Sequence, residues 1–432
     1  MITEHTTKPT FYSTGIEEAE RLDREDQLSH FREQFHFPKG ENGEDLIYLC
    51  GNSLGLQPKG AQDKVMKEMR DWKELGVKGH FTGTTPWTTF HELVNQPMAD
   101  IVGAKPEEVV VMNTLTVNLH LMMVSFYRPT ENRYKILMEK EAFPSDKYAV
   151  QSQLKFHGYG IDDGIIEIEA RDGEKSIRLE DLLDIVDKRG DEIALIILGN
   201  PNYFTGEVFD MKAITEAGHK KGCMVGFDCA HGAGNIILNL HNTGADFAVW
   251  CTYKYMNSGP GSLGGVFVHE RHLKDNDIPK LAGWWGQDKA RRFLMEDEFH
   301  PSPTVESWQM SNAPILSFAP MIASVELFSE AGMHKLRSKA IQLTSYLEFL
   351  INSLNQPAIS IITPEDPQKR GCQLSIRIKD GDKKIYHKIR ESGVILDWRE
   401  PNIIRAAPTP LYNSYRDVYE FIKRLNGILE YN

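Results

Sequence analysis

The chain has 432 residues, 41% of them hydrophobic and 25% charged, which is enough apolar material for a substantial core and two or three domains and excludes wholesale disorder. A formal net charge of −12 excludes a general nucleic-acid or anionic-membrane binder, which needs a basic face, but allows a locally positive pocket for an anionic small substrate. No apolar run approaches the roughly 18–20 residues of a membrane helix, the first fifteen residues lack the apolar core of a secretory signal, and the five scattered cysteines contain no CxxC pair, so the expected compartment is the cytoplasm, with no disulfide framework and no zinc site.

Residues 1–60 are polar and turn-rich and end in Tyr48-Leu-Cys-Gly-Asn-Ser-Leu-Gly-Leu-Gln-Pro58; they are expected to pack with a small C-terminal domain. Val65, Met69 and Trp72 then recur at helical spacing and predict an amphipathic helix. From residue 109 short, nearly all-apolar runs appear: Val109–Met112, Lys135–Met138, Ala194–Leu198, Met224–Phe227, Phe247–Cys251 and Gly265–His269. Such runs predict strands buried on both faces, and helix-like segments at Leu179–Arg189 and Met211–Lys221 lie between them. The alternation predicts an α/β fold with a mostly parallel sheet, forming a large domain over residues 61–314. Beyond it, Lys335–Leu354 carries a leucine-rich helical face, Gln373–Ile378 alternates like a strand, a short strand is expected near Val394–Leu396, and a last helix comes after Asn413. Residues 315–432 are therefore expected to form a smaller α+β domain.

Ligands of open α/β sheets bind outside the carboxyl ends of the strands, so the turn residues directly after each apolar run carry the functional reading. They are Asn113-Thr-Leu-Thr-Val-Asn118, Phe143-Pro-Ser-Asp146, Asp228-Cys-Ala-His231 and Thr252-Tyr-Lys-Tyr255, the last running into a glycine-rich turn. These groups match the needs of pyridoxal 5'-phosphate (PLP). Lys254 offers an amine for the aldehyde, and Asp228 a carboxylate that keeps the pyridine nitrogen protonated. Thr116 and Ser145 offer hydroxyls for the phosphate, and Phe143 a face for the ring. Singly, each has a plainer reading: a solvated lysine, a helix-capping aspartate, a core histidine at 231, a packing phenylalanine. Their common placement after strands favours the cofactor. Asp228 and His231 lack the further ligands that a metal site would need, and no GxGxxG comes after the first strand, which argues against a nicotinamide dehydrogenase.

Several ordered motifs resemble the kynureninase family of fold-type I PLP enzymes. They are Gly51–Pro58, Leu115-Thr116, Phe143–Asp146, Gly226–His231, Tyr253–Tyr255, Gly283-Trp284, Ser311-Asn312 and Ile404-Arg-Ala-Ala-Pro-Thr-Pro-Leu-Tyr-Asn-Ser414, spread from about residue 45 to the C-terminus. The resemblance implies an aspartate aminotransferase-like large domain and hydrolytic Cβ–Cγ cleavage of L-kynurenine or its 3-hydroxy form, in tryptophan breakdown or nicotinamide-cofactor synthesis. It implies Lys254, Tyr253 and Asp228 as catalytic residues, with Leu115, Thr116, Phe143, Pro144, Ser145, Asp146 and His231 completing the cofactor site. Trp284 and Asn312 would come from the second subunit of a homodimer. Arg405 would take the substrate α-carboxylate, its plainer reading being a surface salt bridge, while His80 and Asn312 would lie near the substrate ring. Where relatives offer a serine, this chain has Gly199-Asn-Pro-Asn202, so that hydroxyl contact is expected to be absent or replaced by Asn200 or Asn202. The rival readings are a cysteine desulfurase or β-lyase, for which a histidine before the lysine and a mobile-loop cysteine would be expected, and a non-catalytic PLP-binding protein.

Overall fold

The computed structural model describes residues 12–379, 381 and 383–430. Residues 1–11, on which most of the leader reading rests, lie outside that range. The seven strands of the main sheet are β1 (Val109–Met112), β2 (Lys135–Glu139), β3 (Ile165–Ile168), β4 (Ile193–Gly199), β5 (Met224–Asp228), β6 (Phe247–Cys251) and β7 (Gly264–Val268), in the spatial order β1-β7-β6-β5-β4-β2-β3. Strands β6 to β3 pair in parallel, whereas β7 runs antiparallel to both β6 and β1. The carboxyl ends of β1, β2, β4, β5 and β6 thus share one edge of the sheet. The all-apolar runs are strands for the reason the pattern implies: β1, β6 and β7 are buried at every position, because helices cover both faces.

A second sheet, of order β8-β9-β11-β10, contains β8 (Ile359–Ile361), β9 (Leu374–Ile378), β10 (Asp397–Arg399) and β11 (Ile403–Ala406), and every pairing in it is antiparallel. The helices that matter below are α1 (Ile16–Glu25), α2 (Ala61–Leu75), α3 (Leu115–Phe126), α4 (Pro144–Phe156), α5 (Leu179–Arg189), α6 (Met211–Lys220), α7 (Ile315–Ala331), α8 (Met333–Ser353) and α9 (Tyr415–Glu430). The second sheet shares a core with α8 and α9, and α1 joins the same core through Ala19 and Leu22. Ile47–Tyr48 pairs with Val394–Ile395, tying the N-terminal segment to the C-terminal part of the chain. Gly55 donates its backbone N–H to the Tyr253 carbonyl at 2.8 Å, and a Cβ at 55 would collide with Asn257 and the Lys254 carbonyl. The Gly51–Pro58 motif therefore buttresses the turn that carries Lys254.

Helix α7 is the longest element without a periodic signal. It is apolar almost all round, packs against α2, and presents no polar stripe from which its phase could be read. No single helix among the described residues is long and apolar enough to cross a membrane.

Two glycines within the sheet make room for aromatic side chains on the neighbouring strand. Gly265 pairs with Trp250 and Gly226 with Phe247, and a Cβ at either glycine would overlap the facing ring. Since Trp250 and Phe247 are fully buried and cannot swing away, Gly265→Ala is expected to destabilise the fold by about 2 kcal/mol through overpacking. The check is a lowered urea midpoint at constant m-value; an unchanged midpoint would show that the indole relaxes.

Candidate active site

The shared strand edge opens into a cleft of about 680 Å³, its open mouth included. It is lined by Thr114, Leu115 and Thr116 after β1, Glu139 at the end of β2, and Phe143, Ser145 and Asp146 at the start of α4. Gly199, Pro201 and Tyr203 come at and after the end of β4, Asp228, Ala230 and His231 from β5 and the turn after it, and Tyr253 and Lys254 after β6.

At one side, α3 and α4 both begin at the cleft. Asn113 takes a left-handed conformation (φ 48°), which asparagine tolerates, to turn the chain from β1 into α3. Pro144 occupies the first position of α4, where its missing N–H costs nothing. The two starts bring the Thr116 and Ser145 hydroxyls within 2.9 Å of each other. Unpaired first-turn N–H groups and two hydroxyls on converging helix ends make a cradle for a phosphate.

At the other side, β5 ends in Asp228, which is 6% exposed and accepts the Ala230 N–H at 2.7 Å. Asp146 faces it and is also buried, and its Oδ1 has no hydrogen-bond partner. Burial, and then the facing Asp228 carboxylate, raise Asp146 well above the usual carboxylate range. Burial also raises Asp228, against the pull of Lys254 and the hydrogen bonds that it accepts from Ala230 and Asp146. Both shifts favour a proton held by the pair, more strongly on Asp146, which leaves Asp228 the better placed of the two to stay ionised. One buried anion facing a cavity fits a protonated ring nitrogen, and the vacant Asp146 Oδ1 leaves capacity for a further donor. The residues present therefore fit PLP: an amine, an anion for the ring nitrogen and a phosphate cradle all open on one space.

Lys254 is half-buried, with Nζ 5.9 Å from the centroid of the Phe143 ring. Burial, followed by the charge of Lys254, holds His231 neutral by pushing its pKa well down. Burial, and then Cys251, raise the Tyr253 phenol, so that it keeps its proton across the neutral range.

The cleft gathers Leu115, Thr116, Phe143, Ser145, Asp146, Asp228, His231, Tyr253 and Lys254, with Pro144 starting the adjoining helix. It does not gather the other four candidates from the same chain. Trp284 and Asn312 are exposed away from it, and His80 packs edge-on against Trp87 at 5.3 Å. Arg405 lies behind the wall formed by Tyr203; its salt bridge with Asp397 is buried, not on the surface.

Three participants are absent from the sequence reading. Tyr203 stands edge-on to Phe143 at 5.2 Å, and Asp397 pairs with Arg405. The third is Glu139, 2% exposed, whose Oε1 accepts the Gly199 N–H at 3.0 Å and would lie 2.9 Å from a Cβ at 199. With glycine at 199, no side-chain hydroxyl stands at that position. Asn200 Oδ1 accepts the Phe209 N–H, and Asn202 Oδ1 accepts from Phe204 and Thr205 while its side chain also hydrogen-bonds Glu139. Glu139 fills that space instead. The one signal for it was a lone carboxylate closing an apolar strand.

The fold and this cleft define a fold-type I PLP-dependent enzyme. Solved structures of that class superpose over most of the chain. A cysteine desulfurase from Escherichia coli gives a TM-score of 0.75 at 15% identity, over 94% of this chain and 99% of that one. A cysteine desulfurase from Thermococcus onnurineus gives 0.72 at 16%, over 96% and 98%. At such identities the likeness fixes the fold and leaves the reaction open. The sequence is more specific. Proteins named kynureninase from Myxococcus xanthus and Flavobacterium psychrophilum are 54% and 53% identical to it, covering 98% and 97% of this chain and 99% of each relative. The family model for the kynureninase C-terminal domain matches residues 336–425. The chain belongs to the kynureninase family.

Burial, and then the neighbouring Asp228 charge against two backbone N–H groups, push Glu139 up to about 7. Between its ordinary value of 4.5 and about 7 the folded state holds a proton that the unfolded state has released, so Glu139 lowers stability as pH rises through that window. Glu139→Gln keeps the acceptor for Gly199 and removes the titration. Its unfolding free energy from urea titration should therefore fall less than that of the wild type between pH 5 and 8, the difference being on the order of 3 kcal/mol.

Proposed function

We propose that this chain is a PLP-dependent hydrolase of carbon–carbon bonds that splits the Cβ–Cγ bond of L-kynurenine, 3-hydroxy-L-kynurenine or both, releasing anthranilate or 3-hydroxyanthranilate and L-alanine. The observation that carries this reading is the meeting of Lys254 and the Asp228–Asp146 pair in one cleft, in a chain more than half identical to kynureninases over nearly its full length.

Lys254 would bond the cofactor aldehyde, Asp228 would face the ring nitrogen, and Phe143 and His231 would flank the ring. Leu115, Thr116, Pro144, Ser145 and Tyr253 would surround the phosphate, and Asp146 would hold Asp228 in its charged state. When bound, the cofactor supplies the electron sink that stabilises negative charge on substrate carbons. Arg405 binds the substrate α-carboxylate with its planar fork. Lys254 Nζ moves the α-proton. Water divides across the broken bond: its hydroxyl joins Cγ to complete the aryl carboxylic acid, and a proton reaches Cβ to complete alanine. Tyr253 is the donor of that proton, because its phenol stays protonated and sits beside Lys254 at the strand end.

A homodimer completes this site, with Trp284 and Asn312 supplied by the second copy and His80 and Asn312 beside the aromatic ring of the substrate. An exposed apolar cluster supports that assembly. Phe293 contacts Phe81 and Trp284 with centroids 5.6 and 5.4 Å apart, and Leu294 and Met295 stand exposed next to it. We assign residues 1–60, 61–314 and 315–432 as segment, large domain and small domain, with α7 of the last packed into the core of the large domain, and the cytoplasm as the compartment. Desulfurase chemistry is disfavoured, since Tyr253 precedes the lysine and all five cysteines are buried with none lining the cleft.

PLP-loaded wild type should show a visible absorbance band and release fluorescent anthranilate from L-kynurenine, whereas Lys254→Ala loses both. A loaded wild type without the band would refute the cofactor assignment, and a band without anthranilate would refute the reaction. Arg405→Ala should keep the band but raise KM by roughly a hundredfold; unchanged kinetics would remove Arg405 from the site.

A further inference from the structure

Arg405 is not a free cation awaiting an anion. Its side chain is 1% exposed; Nε donates to Asp397 Oδ1 at 2.7 Å, Nη2 to Asp397 Oδ2, and Nη1 to the Tyr203 carbonyl at 2.6 Å. Strand register creates the pairing, because β10 and β11 are antiparallel with Asp397 directly opposite Arg405. A guanidinium already matched by one carboxylate is a poor receptor for a second, since the incoming anion feels attraction and repulsion from adjacent groups. Two residues along β10, on the same face, stands Arg399, whose Nη2 lies 3.4 Å from Asp397 Oδ2. Its guanidinium is partly buried, and burial and then the like charge of Arg405 lower its pKa. The group of two guanidiniums and one carboxylate therefore carries one surplus positive charge. Its field reaches the cleft: after burial and Lys254, Arg405 and Arg399 are the remaining influences that hold His231 neutral.

We propose that Asp397 and Arg399 complete the α-carboxylate receptor. Asp397 is a positioning residue that fixes the orientation of Arg405 through a side-on fork, and Arg399 offsets the charge of Asp397 so that the assembly accepts one further carboxylate. The inference rests on the reading of Arg405 as the carboxylate ligand and extends it to selection of amino acids with a free α-carboxylate. The side-on fork engages Nε and one N–H of Nη2, and the Tyr203 carbonyl takes one N–H of Nη1, which leaves one N–H on each terminal nitrogen for the incoming group. An unoccupied receptor of this kind holds two guanidiniums in mutual repulsion, and an anion relieves it.

The test uses PLP-loaded enzyme with L-alanine and L-alaninamide as paired ligands, alike except for the carboxylate, together with L-kynurenine turnover. Arg399→Gln is expected to raise KM for L-kynurenine and Kd for L-alanine roughly tenfold, to change kcat by less than about twofold, and to leave Kd for L-alaninamide where it was. Arg399→Lys, which keeps the charge, should stay near wild type. In an Asp397→Asn background the Arg399→Gln effect should shrink, because the charge to be offset is gone, a coupling that a purely structural role for Arg399 would not produce. Equal losses for both ligands, or none for L-alanine, would overturn the proposal. The two levels separate: Arg399-dependent L-alanine binding without L-kynurenine hydrolysis refutes the reaction and supports the receptor, while hydrolysis with Arg399-independent L-alanine affinity does the reverse.

Discussion

Two carboxyl groups, Asp146 and Asp228, are buried against each other at the base of the cleft, and burial raises the proton affinity of both, Asp146 the more. Burying one carboxylate is costly and burying two is more so, unless a proton or a cation neutralises the excess. Much of the surrounding architecture answers to that constraint. β5 must end where its last side chain can turn to the cleft, α4 must start close enough to place Asp146 opposite, and a cation must stand within reach. Lys254, at the end of the neighbouring strand β6, provides one cation. A protonated ring nitrogen of PLP would be a matching second one.

The main sheet supplies this arrangement through topology. Parallel strands bring their carboxyl ends to one edge, so residues from turns far apart in sequence converge on the same space. The antiparallel strand β7 closes the pattern by starting at that edge, where the Gly264 N–H meets the Asn113 carbonyl. Other parts of the chain hold the edge in shape. The N-terminal segment presses Gly55 against the Lys254 turn, and the second sheet brings an arginine cluster up behind Tyr203. Tyr203 therefore stands at a junction, its ring toward Phe143 in the cleft and its backbone carbonyl on Arg405. A fold shared with cysteine desulfurases at 15–16% identity thus presents its own set of groups at this edge: tyrosine before the lysine, no cysteine lining the cleft, and a buried arginine–aspartate pair in the second sheet behind Tyr203.

Legibility in the sequence varied with burial and range. The strands of the main sheet except β3 were readable, because strands buried on both faces announce themselves as unbroken apolar runs. Helices α5 and α6 were readable because each has one wet and one dry side; α2 was read from Val65, Met69 and Trp72, and the helix is there, but Met69 and Trp72 are exposed and its buried residues are Ala61 and Glu68. Helix α7 was silent because its apolar residues run nearly all round it, and β10 and β11 were too short for a pattern. That last gap hid Asp397, which has no meaning until antiparallel register sets it across from Arg405. Glu139 was hidden for a related reason: a glutamate at a strand end is ordinary until Gly199 on the adjacent strand proves to lack the atoms that would exclude it.

By itself the sequence determined the fold class, the family, and the amine, acid and hydroxyls that an aldehyde, a ring nitrogen and a phosphate require. These are local matters, of residue type and of the turn residues that come directly after each apolar run. The tertiary structure alone decided that Asp146 and Asp228 face each other, which side chain fills the space left by Gly199, and that Arg405 is already paired. Each of those depends on distances of a few ångströms between strands or turns far apart along the chain, where electrostatic and steric energies are set by geometry that no linear pattern encodes.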